Sequence, residues 1–119
     1  MQTKISIIKL NAERFKNQRL LIFISFSMPM QSLKQWVSQA NKKGAALVVR
    51  GLVNNSFKET ALKVIELLEG TDGRIQIDPN LFKKYNIQQV PAMVLVNDVG
   101  FDVVYGDVPL SEALNHLES

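Results

Sequence analysis

Ser27-Met28-Pro29-Met30 lies between an apolar run and a helical pattern. Four residues so placed have the shape of a Cys-x-Pro-Cys turn. In such a turn the start of the following helix would stabilise a thiolate. Neither outer position is a cysteine here, and the 119 residues contain none. Thiol–disulfide exchange requires a thiolate nucleophile, so this chain cannot carry it out with its own residues. A second proline with comparable surroundings is Pro91, which follows Val90 and opens another apolar run containing Met93.

The chemistry left to these residues is recognition. Ser27 is a poor nucleophile without an adjacent base, and the single histidine, His116, stands near the C-terminus. Met28 and Met30 are soft, adaptable side chains that suit a protein-binding surface if exposed. If turned inward, Met30 fills core. Pro91 and Met93 carry the same two readings, fold geometry or recognition. Val90 precedes Pro91 and is taken together with it. The candidate partner-binding set is therefore Ser27, Met28, Pro29, Met30, Val90, Pro91 and Met93, with no catalytic residue. No His/Asp/Glu cluster has metal-ligand spacing, and neither a glycine-rich phosphate loop nor a nucleophile elbow is present. No cofactor is expected. Arg50 follows a short apolar run, and Asp78 is a candidate for a structural ion pair with it. Glu66 and Glu69 read as a solvated helix face.

Length and composition set the frame for these sites. A chain of 119 residues with 46% hydrophobic residues is expected to bury a core of its own. No apolar run approaches the roughly 18 residues of a membrane span. The N-terminus, Met1-Gln2-Thr3-Lys4, lacks the apolar region and small-residue site of a signal peptide, which reads as a cytosolic chain or a mature or truncated exported one. The net charge of +3 is unevenly spread. Up to Lys58 there are ten Lys/Arg and one acid; from Glu59 onward there are four Lys/Arg and ten acids, so the two parts carry +9 and −6. Such a field can steer an acidic partner to one side. The bases are neither run together nor interleaved with aromatics, so nucleic acid is not an expected partner.

The elements that must hold the two proline sites follow from periodicity. Arg19 to Phe26 is a dense apolar run suited to a strand buried on both faces. Pro29 fits the first turn of a helix, where its missing N–H is harmless. Met30, Leu33, Trp36, Val37 and Ala40 then mark one helix face, ending near Lys43 with Gly44 beyond it. Ala45 to Val49 is the next buried strand, completing a right-handed βαβ unit. Ser56 and Glu59 form a capping box for a helix whose apolar positions are Ala61, Leu62, Ile65 and Leu68. Arg74 to Ile77 is a short strand, and Asp78-Pro79 caps and starts a short helix through Leu81, Phe82 and Tyr85. Ala92 to Val96 and Phe101 to Tyr105 pair across a turn at Asn97-Asp98-Val99-Gly100. Gly106-Asp107 ends that strand, and Pro109 to Leu117 closes the chain as a helix. In the N-terminal extension, 1–18, Thr3 to Leu10 reads as a strand and Ala12 to Gln18 as a turn or two of helix. The main domain is 19–119.

This order, with its proline before the hairpin, resembles the thioredoxin fold, an α/β architecture with a central mixed sheet flanked by helices. The stretch from Ile77-Asp78 through Tyr85-Asn86-Ile87 to Val90-Pro91 is similar to that fold's approach to its cis-proline, so the resemblance implies a cis Val90–Pro91 bond. The chain further resembles the TrbC family of F-type conjugative pilus assembly proteins, part of type IV secretion machinery. The resemblance rests on Phe26-Ser27-Met28-Pro29 with Leu33-Lys34, Val49-Arg50-Gly51-Leu52, Ser56-Phe57-Lys58-Glu59-Thr60, Ile77 to Phe82, Val90-Pro91, and Gly106 to Leu110 with Ala113-Leu114. These blocks are collinear over about residues 20–117. The family implies a periplasmic protein that acts in pilus assembly through contacts with other assembly proteins, a TraW-like protein among them. It implies an adaptor rather than an enzyme; the alternative is a chaperone-like binder of pilin or unfolded segments.

Overall fold

The computed structural model describes residues 19–106. The expected elements at Thr3–Leu10, Ala12–Gln18 and Pro109–Leu117 lie outside these residues. Five strands form one sheet in the order β3-β2-β1-β4-β5: β1 is Arg19–Ile24, β2 Ala46–Val49, β3 Ile75–Ile77, β4 Ala92–Asn97 and β5 Gly100–Tyr105. The helices are α1 at Met30–Lys43, α2 at Phe57–Leu68 and α3 at Pro79–Lys84. A single 3-10 turn, Val53–Asn55, precedes α2.

Strand β1 is central because its side chains are apolar on both faces. It pairs parallel with β2, Phe23 opposite Val48, and antiparallel with β4, Phe23 opposite Ala92. Alternation sends Ile22 and Ile24 to one face and Leu21 and Phe23 to the other. On the first face they join Leu33, Trp36, Val37 and Ala40 of α1, the helix face expected from spacing. On the second they join Phe82, Tyr85 and Ile87. Phe23 meets Phe82 and Tyr85 edge-on at centroid separations of 4.9 and 6.2 Å. Burial of each large side chain contributes roughly 1.5–3 kcal/mol, so both faces of β1 anchor the domain.

The helix ends follow their sequence signals. Gly44 closes α1 in the left-handed region (φ 67°), and the Ala45 N–H donates to the Ala40 carbonyl at 2.9 Å. Ser56 caps α2 by accepting from the Glu59 N–H at 3.1 Å. Asp78 caps α3 by accepting from the N–H groups of Asn80 and Leu81 at 3.0 and 3.2 Å. The hairpin turn contains Asp98 and Val99, and the Asn97 side chain accepts from the N–H groups of Val99 and Gly100.

Two expectations are corrected. Strand β1 stops at Ile24 rather than Phe26, because Ser25 opens a turn: its carbonyl accepts from the Met28 N–H at 3.0 Å. The inward face of α2 is also different. Thr60 and Leu67 are buried, whereas Leu62 and Ile65 are 59% and 66% exposed. Leu67 and Leu68 pack with the cluster of Ile22, Leu33 and Trp36, and Thr60 is buried on the same helix. Its hydroxyl accepts from the Val53 N–H at 2.8 Å and donates to the Ser56 carbonyl at 2.6 Å, tying the inward side of the first turn to the preceding 3-10 turn.

Candidate functional site

The two proline sites leave the sheet from adjacent strands at one end. Strand β1 runs out into Ser25–Pro29, and β4 enters from Val90-Pro91, with Phe23 opposite Ala92 as the last pair in register. The Val90–Pro91 peptide bond is cis. The Pro91 carbonyl accepts from the Gly106 N–H at 3.0 Å, and the Tyr105 hydroxyl donates to the Asn86 carbonyl at 3.2 Å. These bonds hold the loop before β4 against the end of β5. The serine turn is braced by its own side chains: the Ser25 and Ser27 hydroxyls are 2.8 Å apart, and the Ser27 N–H donates to Ser25 Oγ at 3.1 Å.

Burial sorts the candidate residues. Ser27 and Pro29 are exposed; Met28, Met30, Val90 and Pro91 are half-buried. Met28 and Met30 pack against the α1 side of the core, and Val90 packs against the α3 side. Each thus offers part of its surface and anchors the rest. Met93 is corrected outright: it is 0% exposed and belongs to the core beside Ile22, Leu33 and Trp36. Strand β4 is covered on both faces, so Met93 points towards α1 while Ala92 and Val94 point towards α3. It cannot touch a docked partner.

The structure also adds residues to this end of the sheet. A cavity of about 370 Å³ joins the two loops through Ser25 and Val90, and Arg50, Gln88 and Gln89 line it as well. The Arg50–Asp78 ion pair does not form in the expected way. Arg50 instead lies over the Phe82 ring, 4.9 Å from its centroid, and donates to the Ile87 carbonyl at 3.1 Å. The Asp78 carboxylate is engaged as the α3 cap and accepts from the Gln76 amide at 3.2 Å. The sequence signal for Arg50 was its position just past the carboxyl end of a parallel strand, where open α/β sheets place their crevices. Among the described residues no group of three His, Cys, Asp or Glu could hold a metal ion, and no helix is long and apolar enough to cross a membrane.

A βαβ unit, a cis-proline before an antiparallel hairpin, and a serine turn opening α1 define a thioredoxin-like domain without the thiols of that fold. Two solved structures share the architecture. StoA from Bacillus subtilis is similar with a TM-score of 0.57 and 22% identity, covering 86% of this chain and 82% of that one. DsbF from MTB is similar with a TM-score of 0.59 and 18% identity, covering 84% and 78%. The chain belongs to the TrbC family of type-F conjugative transfer system pilin assembly proteins, whose family description matches residues 22–117. A curated relative, the periplasmic protein TrbC of Escherichia coli strain K12, is 40% identical over 99 residues. That match takes in 82% of this chain and 46% of the relative, so the chain spans about half the relative's length.

Proposed function

We propose that this domain works in F-type pilus assembly as a periplasmic adaptor, docking a segment of another assembly protein at the face formed by the Ser27–Met30 turn and Val90-Pro91. A TraW-like protein is the partner that the family resemblance indicates. The observation that carries the reading is the convergence of the two loops at one end of the sheet, with exposed Ser27 and half-buried Met28, Met30 and Val90, in a chain lacking cysteine. The scaffold's reactive face is kept, and its thiol chemistry is gone. What such a face retains is shape and backbone hydrogen-bonding capacity for an extended segment.

The alternative, a chaperone-like binder of pilin or unfolded segments, draws support from a different observation. Phe57 is 80% exposed, and with Leu62 and Ile65 it lays an apolar stripe along α2. A pull-down from envelopes of cells carrying the cognate transfer system separates the readings. Ser27→Trp adds bulk at an exposed turn position and, among the described residues, removes only the Ser25–Ser27 hydroxyl contact. One prominent assembly protein, captured by the wild type and lost in a folded Ser27→Trp variant, supports the adaptor. Its retention by that variant removes the two-loop face from the account. Many weak apolar clients, lost instead when Phe57 and Ile65 become serine, support the chaperone.

A further inference from the structure

We infer that the cavity beside the two loops is a carboxylate-binding site, and that the segment docked there carries an acidic side chain. This rests on the adaptor reading and names the chemistry of its partner.

The cavity has an apolar side built by Ile24, Phe82 and Ile87, and a polar side built by Arg50, Gln88 and Gln89. A second cavity of about 380 Å³ shares Arg50, Phe82, Ile87 and Gln88 with it and adds Lys83 and Asn86. The two adjoin at these four residues, and each is in the size range of roughly 300–1,000 Å³ typical of ligand sites. Two cations line them. Among the described residues that line the two cavities, none is acidic.

Arg50 is held as a binding group would be. Its guanidinium lies over Phe82, a residue itself packed edge-on against Phe23 of β1, and the Ile87 carbonyl takes one of its N–H donors. A guanidinium has five such donors in a planar fork matched to a carboxylate. Stacking and one hydrogen bond restrict the side chain before any ligand arrives, which lowers the ordering cost of binding. The exposed Gln88 and Gln89 supply amide donors at the same mouth, and Gln88 is already oriented by its hydrogen bond to the Asn86 side chain at 3.2 Å. Val90 and Ser25 place the first cavity directly against the two-loop face. An extended segment lying on that face reaches Arg50 with a side chain, and a carboxylate is the group that matches it.

The test is an NMR titration of the full chain with two blocked peptides, acetyl-Leu-Glu-Leu-Glu-amide and its uncharged analogue acetyl-Leu-Gln-Leu-Gln-amide. The acidic peptide is expected to shift the Arg50 side-chain signal, the Gln88 and Gln89 amides and the Val90 N–H. Its Kd should be about tenfold below that of the analogue, the scale of one charge-assisted pair. Arg50→Gln should erase that difference. Because this substitution also removes the stacking on Phe82, Gln89→Glu is run beside it: it leaves Arg50 in place and should weaken the acidic peptide alone. Equal affinities for the two peptides, no shifts with either, or acidic binding unchanged in both variants overturns the site. Acidic binding that survives Arg50→Gln and Gln89→Glu but is lost in Ser27→Trp overturns the carboxylate site and leaves the docking face standing. Acid-selective binding confined to Arg50 and indifferent to Ser27→Trp supports the site and counts against its union with the two-loop face.

Discussion

Met93→Ala separates a core methionine from a surface one. Met93 sits in the middle of β4, in register with Ile22 on one side and Val104 on the other, and is fully buried in the cluster that holds Leu33 and Trp36. Truncation removes three heavy atoms from a site enclosed by two strands and a helix, where the surroundings can collapse little. Buried methionine-to-alanine changes cost roughly 2–5 kcal/mol, and a mid-range loss of about 3 kcal/mol is expected here. With a urea m-value of about 2 kcal/mol per molar, the midpoint should fall by about 1.5 M. The corresponding fall in Tm is about 12 °C, at roughly 4 °C per kcal/mol for a domain of this size. Trp36 is the single tryptophan and is 1% exposed, so its fluorescence reports the loss of the same cluster. Met30→Ala is the control. Its side chain is half-buried, and its loss should be about 1 kcal/mol. If Met93→Ala costs less than about 1 kcal/mol, the burial argument fails. If it also abolishes partner binding at full stability, Met93 belongs to the docking surface after all.

Other substitutions probe local structure. Phe57→Ser and Ile65→Ser, both on the exposed stripe of α2, should each change stability by no more than about 0.5 kcal/mol in urea titrations; a loss above about 2 kcal/mol would mean that these side chains are covered. Gly44→Ala should cost about 1 kcal/mol, measured the same way. A methyl group there meets nothing within 4 Å, so the whole effect comes from holding a side-chain-bearing residue at φ 67°; a neutral outcome would refute the left-handed cap.

Signals that act over a few residues were legible in the chain itself. Pro29 and Gly44 bracket α1, Ser56 with Glu59 opens α2, and Asp78-Pro79 opens α3, because caps depend on backbone groups within one turn. The apolar density of residues 20–24 marked the central strand, since a strand covered on both faces has no polar side to show. The absence of cysteine settled from composition alone that this chain performs no thiol exchange.

What tertiary structure decided was the direction in which ambiguous side chains point. Met30 and Met93 look alike in sequence, yet one lies at a helix start beside the turn and the other on a strand between two covered faces. On α2, Leu62 and Ile65 are as apolar as Leu67, and only the packing of Leu67 and Leu68 against the cluster of Ile22, Leu33 and Trp36 settles which side faces inward. Arg50 had a plausible carboxylate in Asp78 until the α3 N–H groups claimed it, leaving the guanidinium to Phe82 and Ile87. Periodicity states that a face exists and caps state where a helix begins. Which face is buried, and which charge meets which partner, depends on residues distant in the chain, and those meet only when the sheet has formed.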